Sequence, residues 1–141
     1  MKQNTSSSEN VVVKVSDIHG HGLFAAKEIK SGEIVVRWNK RELSEYEYAS
    51  LTQIEKTYID IQGSKIFLMG EPERYVNHSC VPNTISGQNC DIASRDIKKG
   101  EEITADYKYF YIPNGQFQCI CGSENCRGTV FGSNSEPSAN C

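Results

Sequence analysis

The stretch Arg74-Tyr75-Val76-Asn77-His78-Ser79-Cys80-Val81-Pro82-Asn83 concentrates polar side chains that a protein buries only when they have hydrogen-bond or metal partners. Asn77 can both donate and accept hydrogen bonds, His78 carries two distinct ring nitrogens, and Cys80 offers a thiolate. Taken alone, the stretch is compatible with a hydrogen-bonded turn closed by Pro82. A catalytic Cys/His pair is disfavoured, because adjacent sequence positions rarely give the required geometry. The segments before and after it therefore decide what it means.

Two further motifs flank this stretch. Upstream, Gly20-His21-Gly22-Leu23-Phe24-Ala25 has the spacing of a dinucleotide fingerprint, but that motif needs a helix immediately afterwards and a strand is predicted here. The two glycines could let the backbone approach a ligand, although an ordinary turn is the simpler explanation. Downstream, Glu101-Glu102-Ile103-Thr104-Ala105-Asp106-Tyr107 leads into an aromatic run that ends at Tyr111. An isolated tyrosine is usually a core or rim residue.

The cysteines favour a metal site over a disulfide framework. Six cysteines in 141 residues are well below the roughly 8–10% of a disulfide scaffold. Cys119, Cys121 and Cys126 lie so close in sequence that zinc, which prefers four tetrahedral ligands, suits them best. Disulfides and free thiols remain alternatives. The fourth ligand has to come from elsewhere, and the candidates are the three histidines and Cys80, Cys90 and Cys141.

Composition excludes several classes of protein. Apolar residues make up 38% and charged residues 23%, with a net charge of −3, which suits one globular domain without a basic nucleic-acid-binding surface. No stretch approaches the roughly 20 apolar residues of a membrane span, and residues 1–10 lack the apolar core of a signal peptide. We therefore expect an intracellular protein, nuclear or cytoplasmic, with no membrane partner and no direct nucleic-acid binding.

The pattern of apolar residues predicts a chain of short strands with one helix. The helix is expected at Glu42–Tyr58, where Ser44 and Glu47 form a capping box. Residues 26–33 echo residues 94–101, through shared turn chemistry or duplication, and should occupy related positions. The predicted strands are Val11–Val15, Glu33–Trp38, Tyr58–Ile61, Lys65–Met69, Thr84–Ser86, Asp91–Ser94 and Glu102–Ala105.

Together and in this order, the three motifs and the cysteine cluster resemble the SET-domain protein lysine methyltransferases. GHGLFA is similar to the family's first motif, RYVNHSCVPN to its most diagnostic stretch, GEEITADY to its third motif, and C-x-C-x4-C to its post-SET zinc motif. The resemblance implies a mainly β, β-clip-like SET-domain fold of several small sheets, with a C-terminal pseudoknot, one substantial helix and a zinc-bound post-SET loop. It places the SET domain at 11–112 and the zinc loop at 113–131, between disordered tails at 1–10 and 132–141.

The resemblance also implies an activity and a site. The activity is transfer of methyl from S-adenosylmethionine to a lysine of a protein or peptide, histones being possible substrates, with Tyr107 as the catalytic residue. The alternatives are a non-catalytic binding module of the same fold and a zinc-stabilised scaffold. Ala105 stands where the family usually has an aromatic residue, which predicts a roomier pocket unless another aromatic fills it. The implied cofactor-binding residues are Gly20, His21, Gly22, Arg74, Tyr75, Asn77 and His78, and the implied ligands of a structural zinc are Cys80, Cys119, Cys121 and Cys126.

Overall fold

Short β-strands form four small sheets in the computed structural model, which describes residues 10–132 and 141. A four-stranded sheet has the order β1-β2-β10-β7, two three-stranded sheets have the orders β3-β9-β8 and β4-β6-β5, and β11 pairs with β12. The strands are β1 Val11–Val15, β2 His21–Ala25, β3 Ile34–Arg37, β4 Lys40–Leu43, β5 Ile59–Gln62, β6 Lys65–Met69, β7 Asn77–His78, β8 Thr84–Ser86, β9 Cys90–Ala93, β10 Glu102–Ala105, β11 Gln116–Gln118 and β12 Thr129–Phe131. The predicted mainly β architecture of several small sheets is confirmed.

The four-stranded sheet brings distant motifs side by side. Strand β10 pairs antiparallel with β2 and parallel with β7, so Ile103 lies opposite Leu23 and Ala105 lies opposite His78. Leu23, Ile103 and Ala105 are all fully buried in the core. Burial of these apolar residues holds the polar ends of the three strands in one place.

The two echoed segments pair with each other. Ile29 and Ile97 exchange backbone hydrogen bonds of 2.9 and 2.7 Å, and both side chains are fully enclosed. Each segment has a glycine at φ +90°, Gly32 and Gly100, in the turn that leads to the next strand. The expectation that the segments occupy related positions is confirmed, since they meet at a local pseudo-twofold.

The predicted helix at Glu42–Tyr58 is wrong in length. Only α1, Glu45–Ala49, is α-helical, and a separate 3-10 turn follows at Glu55–Tyr58. The Ser44/Glu47 capping box is present as expected. A second reciprocal pair of bonds, of 2.9 and 3.1 Å, links Thr52 with Glu55 at the beginning of the 3-10 turn, so this turn is separate from the first helix.

The ends of the chain lie largely outside the described residues. The tails expected at 1–10 and 132–141 are described only at Asn10, Gly132 and Cys141, and Asn10 accepts a backbone hydrogen bond from Ala26 at 2.7 Å. Cys141, which the sequence leaves without a role, forms a disulfide with the buried Cys90. Within the described ranges, no helix has the length and apolarity that crossing a membrane requires.

Candidate cofactor pocket and metal centre

The diagnostic stretch and the third motif meet where β7 and β10 end. The backbone N–H of Ser79 donates to the carbonyl of Ala105 at 3.1 Å, and the N–H of Tyr107 donates to Nδ1 of His78 at 3.0 Å. The structure thus places Asn77–Cys80 beside Asp106–Tyr107. Polar groups from two distant parts of the chain therefore share one site.

Two cavities open onto this junction. The first, called here the tyrosine cavity, has a volume of about 360 Å³ and is lined by Gly20, His21, Arg74, Tyr75, Asn77 and Tyr107, among others. The second, the cysteine cavity, has a volume of about 460 Å³ and is lined by Asn77, His78, Tyr107, Phe117, Cys119 and Cys121, among others. Because Asn77 and Tyr107 line both, the two cavities adjoin at these residues. Of the seven residues expected to bind a cofactor, only Gly22 lines neither cavity.

Asn77 fixes the loop of the first motif. Its buried amide nitrogen Nδ2 lies 3.1 Å from the carbonyl oxygen of His19, 3.0 Å from that of His21 and 2.9 Å from Oε2 of Glu102. The side-chain oxygen Oδ1 receives no hydrogen bond from the described residues and is not enclosed. Asn77 therefore uses its donors on the protein and keeps one acceptor for a ligand.

Gly22 lies directly against the side chain of Glu102. A Cβ on Gly22 would collide with Oε2 of Glu102. That carboxylate accepts from Asn77 and from the hydroxyl of Ser16 at 2.8 Å. Glu102 thus connects the turn before β2, through Ser16, with β7, through Asn77. It also lies against Gly22 of β2.

Arg74 and Tyr75 build a wall of the tyrosine cavity. The guanidinium of Arg74 donates to the carbonyl of Met69 at 2.7 Å and lies 4.9 Å from the ring centre of Tyr58. Tyr58 and Tyr75 meet edge to face at 5.7 Å, and His21 approaches Tyr75 at 6.3 Å. Through its contacts with Met69 and Tyr58, Arg74 therefore holds this aromatic wall in place.

His78 is neutral, and its tautomer is set by its neighbours. Nδ1 accepts the Tyr107 N–H, so Nδ1 carries no proton and the remaining ring proton lies on Nε2, which is 3.4 Å from Sγ of Cys80. Burial lowers the pKa of His78, outweighing the opposing effect of Asp106. Since both nitrogens are engaged, His78 can offer a ligand only its backbone and its ring surface.

Tyr107 presents an oxygen acceptor to the tyrosine cavity. Its hydroxyl donates its proton to the carbonyl of Val76. Burial raises the pKa of this hydroxyl well above its ordinary value, and the charge of the nearby Asp91 adds to the shift. The phenol therefore stays protonated, with its proton committed to Val76 and its lone pairs available.

The four expected metal ligands come together. The sulfur atoms of Cys80, Cys119, Cys121 and Cys126 all lie within 4.8 Å of one another, and Cys80 and Cys119 are 3.8 Å apart. A regular tetrahedron with Zn–S distances of about 2.3 Å has edges of about 3.8 Å. Four ionised thiols this close repel one another unless a cation joins them. The donor set therefore fits a four-coordinate zinc.

The cysteine cluster is tied directly to the tyrosine site. The backbone N–H of Arg127 donates to Sγ of Cys80 at 3.3 Å, and the Arg127 guanidinium pairs with Asp106 at 3.0 Å. Phe117 on β11 packs edge-on against His78 at 5.3 Å and lies 5.8 Å from Tyr107. The C-terminal loop thus contributes Phe117 and Arg127 to the surroundings of Tyr107, and the loop has to be ordered for these contacts to form.

A third cavity, called here the strand cavity, is separated from the tyrosine cavity by the aromatic pair Trp38 and Phe110. Its volume is about 670 Å³, and it runs along β5 to the turn at 86–89. Trp38 and Phe110 meet edge to face at 5.3 Å and line both this cavity and the tyrosine cavity. Asp60 and Tyr111 also line both. A side chain that extends from the strand cavity towards Tyr107 therefore has to pass alongside these four residues.

Sequence reasoning missed several residues of the site. The sequence predicts Tyr58 only as the boundary between a helix and a strand, assigns no site role to Glu102, and shows no recognisable pattern around Phe117. The signal for Glu102 was its place in the third motif two residues after a turn glycine. No signal pointed to Phe117, because only the fold brings β11 to His78. Ala105, expected beside a roomy pocket, is fully buried in a core cluster against which Trp38 and Phe110 pack.

Comparison with known proteins agrees with this geometry. The model of the SET domain family matches residues 20–108, more than half of the chain, and the chain belongs to this family. It is 36% identical over 141 residues to the human histone-lysine N-methyltransferase SETD1B and 32% identical over 150 residues to the putative histone-lysine N-methyltransferase 1 of Plasmodium falciparum. These alignments cover 82% and 90% of this chain but only 7% and 2% of the relatives.

A solved structure supports the fold assignment. The crystal structure of a putative histone methyltransferase from Plasmodium falciparum aligns with a TM-score of 0.54 at 22% identity, covering 70% of this chain and 92% of that one. At this identity the likeness concerns the fold alone. The chain thus has a SET fold and is similar to a small part of much longer histone-lysine methyltransferases.

Proposed function

We propose that the chain is a protein-lysine N-methyltransferase that uses S-adenosylmethionine, with a structural zinc at its C-terminal loop. The observation that carries the proposal is the juxtaposition of the Tyr107 oxygen with the cavities built by the first and second motifs. Membership of the SET family and similarity to histone-lysine methyltransferases support the same activity.

The residues around Asn77 fit the cofactor. S-adenosylmethionine supplies an electrophilic methyl group on a positively charged sulfur. Asn77 Oδ1 is an accessible acceptor for an ammonium group of such a ligand, and the Arg74–Tyr75 wall with the Gly20–His21 backbone would border it. Phe117 and the ring surface of His78 offer an apolar face in the adjoining cysteine cavity for a flat base. These roles assign a chemically suitable contact to the ammonium group and to the base of the cofactor.

Tyr107 would orient the methyl acceptor. Since its proton is held by Val76, its oxygen can accept an N–H from the target amine and fix the direction of the nitrogen lone pair. A lysine has an ordinary pKa of about 10.4 and must lose a proton before it can attack. The aromatic surface of the Trp38–Phe110 pair would favour that loss, because an apolar surrounding disfavours the charged form of the lysine.

Zinc would act as a structural ion. Four protein thiolates leave no open coordination position for substrate. By fixing the loop that carries Phe117 and Arg127, the metal would order one wall of the site.

The substrate is proposed to enter through the strand cavity. Strand β5 is the outer strand of its sheet, one of its edges pairs with no other described strand, and residues 60–63 line the cavity. An extended segment can pair with such an edge and send a lysine side chain past the Trp38–Phe110 pair towards Tyr107. A protein or peptide substrate, including a histone tail, fits this route.

Methyl transfer can be tested directly. The purified chain, loaded with zinc, is incubated with S-adenosylmethionine labelled in the methyl group together with core histones or cell lysate, and the products are digested and analysed by mass spectrometry. We expect label on lysine side chains. Binding of the cofactor in calorimetry without labelling of any protein would instead identify a non-catalytic module.

A further inference from the structure

One charged residue stands among the aromatics at the junction of two cavities. Trp38, Asp60, Phe110 and Tyr111 line both the strand cavity and the tyrosine cavity, and only Asp60 carries a charge. Asp60 lies on β5 and is 7% exposed. A nearly buried carboxylate needs hydrogen-bond or ionic partners. The partners that Asp60 already has determine which further group its carboxylate can bind.

The two oxygens of Asp60 differ. Oδ2 accepts from Nζ of Lys40 at 2.7 Å and from Nε2 of Gln62 at 3.0 Å. Oδ1 receives no hydrogen bond from any described residue. Among the described residues, the buried side-chain polar atoms that lack a partner belong to Trp38 and Asp91, so Oδ1 is still accessible. One acceptor of a nearly enclosed carboxylate is therefore open at the cavity junction.

Lys40 determines which kind of hydrogen-bond donor can approach Oδ1 of Asp60. The Lys40 and Asp60 side chains are only 14% and 10% exposed, so water screens their interaction weakly. At 2.7 Å the ammonium already balances the carboxylate charge. A second cation at Oδ1 would lose hydration and meet the Lys40 charge, whereas a neutral N–H or O–H donor would avoid that repulsion.

We propose that Asp60 and Lys40 form a selection subsite for the residue that flanks the methylated lysine. In this subsite Asp60 accepts a hydrogen bond from a neutral donor such as a serine or threonine hydroxyl, and Lys40 excludes arginine or lysine. The inference rests on the proposed function, since the subsite acts on a peptide whose lysine reaches Tyr107 through the junction.

The test is a comparison of kcat/KM among lysine peptides that differ at one flanking position. Serine, alanine or arginine is placed before the lysine in one set and after it in another, and the wild-type chain is assayed with labelled S-adenosylmethionine. In one of the two sets we expect serine to be preferred over arginine by at least about tenfold, with alanine between them.

Substitutions separate the two roles. Lys40→Met leaves the Asp60 charge unbalanced, so the arginine peptide should become the preferred one. Asp60→Asn should reduce the advantage of serine over alanine, because a hydroxyl bonds a neutral amide more weakly than a carboxylate, while arginine stays disfavoured. Arg41→Met is the matched control, because Arg41 neighbours Lys40 on β4 but is exposed, pairs with Glu47 and lines none of the three cavities; its preferences should equal those of the wild type.

The outcomes distinguish this inference from the proposed function. Removing one partner of a nearly buried ion pair is destabilising, so if Lys40→Met does not fold, the wild-type and Asp60→Asn preferences decide. Equal rates for serine and arginine peptides with the wild type would overturn the subsite and leave the methyltransferase intact. Failure of the wild type to methylate any lysine peptide or protein would overturn the proposed function itself.

Discussion

The carbonyl oxygen of Val76 accepts the phenolic proton of Tyr107, and this bond joins the diagnostic second motif to the last residue of the third. It fixes the phenol ring and determines the direction of its lone pairs. The bond also keeps the hydroxyl from donating to a substrate. Tyr107 is therefore equipped to accept a hydrogen bond and poorly equipped to remove a proton at neutral pH.

Tyr107→Phe should lower the methylation rate by about 100-fold or more, because the amine loses the group that orients it. Stability should fall by only about 1–3 kcal/mol, the cost of leaving the Val76 carbonyl without a partner. Initial rates with labelled S-adenosylmethionine, together with thermal unfolding, measure both effects. Tyr46→Phe is the control, since Tyr46 is 82% exposed on α1. A Tyr107→Phe rate within a few-fold of the wild type would remove Tyr107 from the catalytic role.

Removal of zinc should disorder the loop that carries Phe117 and abolish methyl transfer. Elemental analysis of the pure chain is expected to find one zinc per molecule, and Cys119→Ser should reduce that value sharply. Hydrogen exchange should rise across 113–131 in the variant while the β1–β2 hairpin stays protected. Cys141→Ser is the matched control, because Cys141 pairs with Cys90 and not with the cluster; its zinc content should be unchanged. Full zinc content in Cys119→Ser would contradict the four-cysteine assignment.

The sequence predicted the β-rich class, most strand positions and the three cysteines at 119–126, because these depend on local alternation and short spacing, whereas Cys80 as the fourth ligand came only from the family resemblance. The predicted helix over 42–58 is too long, since the pattern of apolar residues does not show where the Thr52/Glu55 pair begins a separate turn. Strands β7, β11 and β12 are two or three residues long, too short for a periodic signal. Functions that depend on pairing distant segments, such as those of Phe117 and Asp60, needed the structure.

Gly22→Ala should destabilise the chain through a collision with the Glu102 carboxylate, at a cost of about 1–3 kcal/mol. Cofactor affinity should fall as well, because Glu102 is bonded to Asn77. In Gly22→Ala/Glu102→Ala the collision is gone. The losses of unfolding free energy caused by the two single substitutions should therefore be less than additive, with a coupling of at least about 1 kcal/mol. Chemical unfolding of the four proteins of this cycle gives the coupling. Strict additivity would show that Gly22 is not required by Glu102.

Asp91 should make the free energy of unfolding depend on pH between about pH 4 and pH 7. It is fully buried on β9, and although Trp38 and Ser86 are close enough to favour the charged form slightly, neither makes a well-aligned hydrogen bond to it. Burial raises its pKa from 3.8 to about 7. Between these values the folded chain holds a proton that the unfolded chain has released, so stability is full below about pH 4 and declines as pH rises through about 7.

Asp91→Asn should abolish that decline, because the amide does not ionise. Above about pH 8 the variant should exceed the wild type in free energy of unfolding by up to about 4 kcal/mol, and the difference between the two proteins should shrink steadily as the pH falls towards 4. Urea unfolding of both proteins across this range measures the difference, in which any shared loss of zinc in acid cancels. Asp96→Asn serves as the control because Asp96 is exposed and pairs with Lys30. A difference between wild type and Asp91→Asn that is constant with pH would mean that Asp91 is ionised in the folded chain throughout, which requires a partner for its carboxylate that the described residues do not provide.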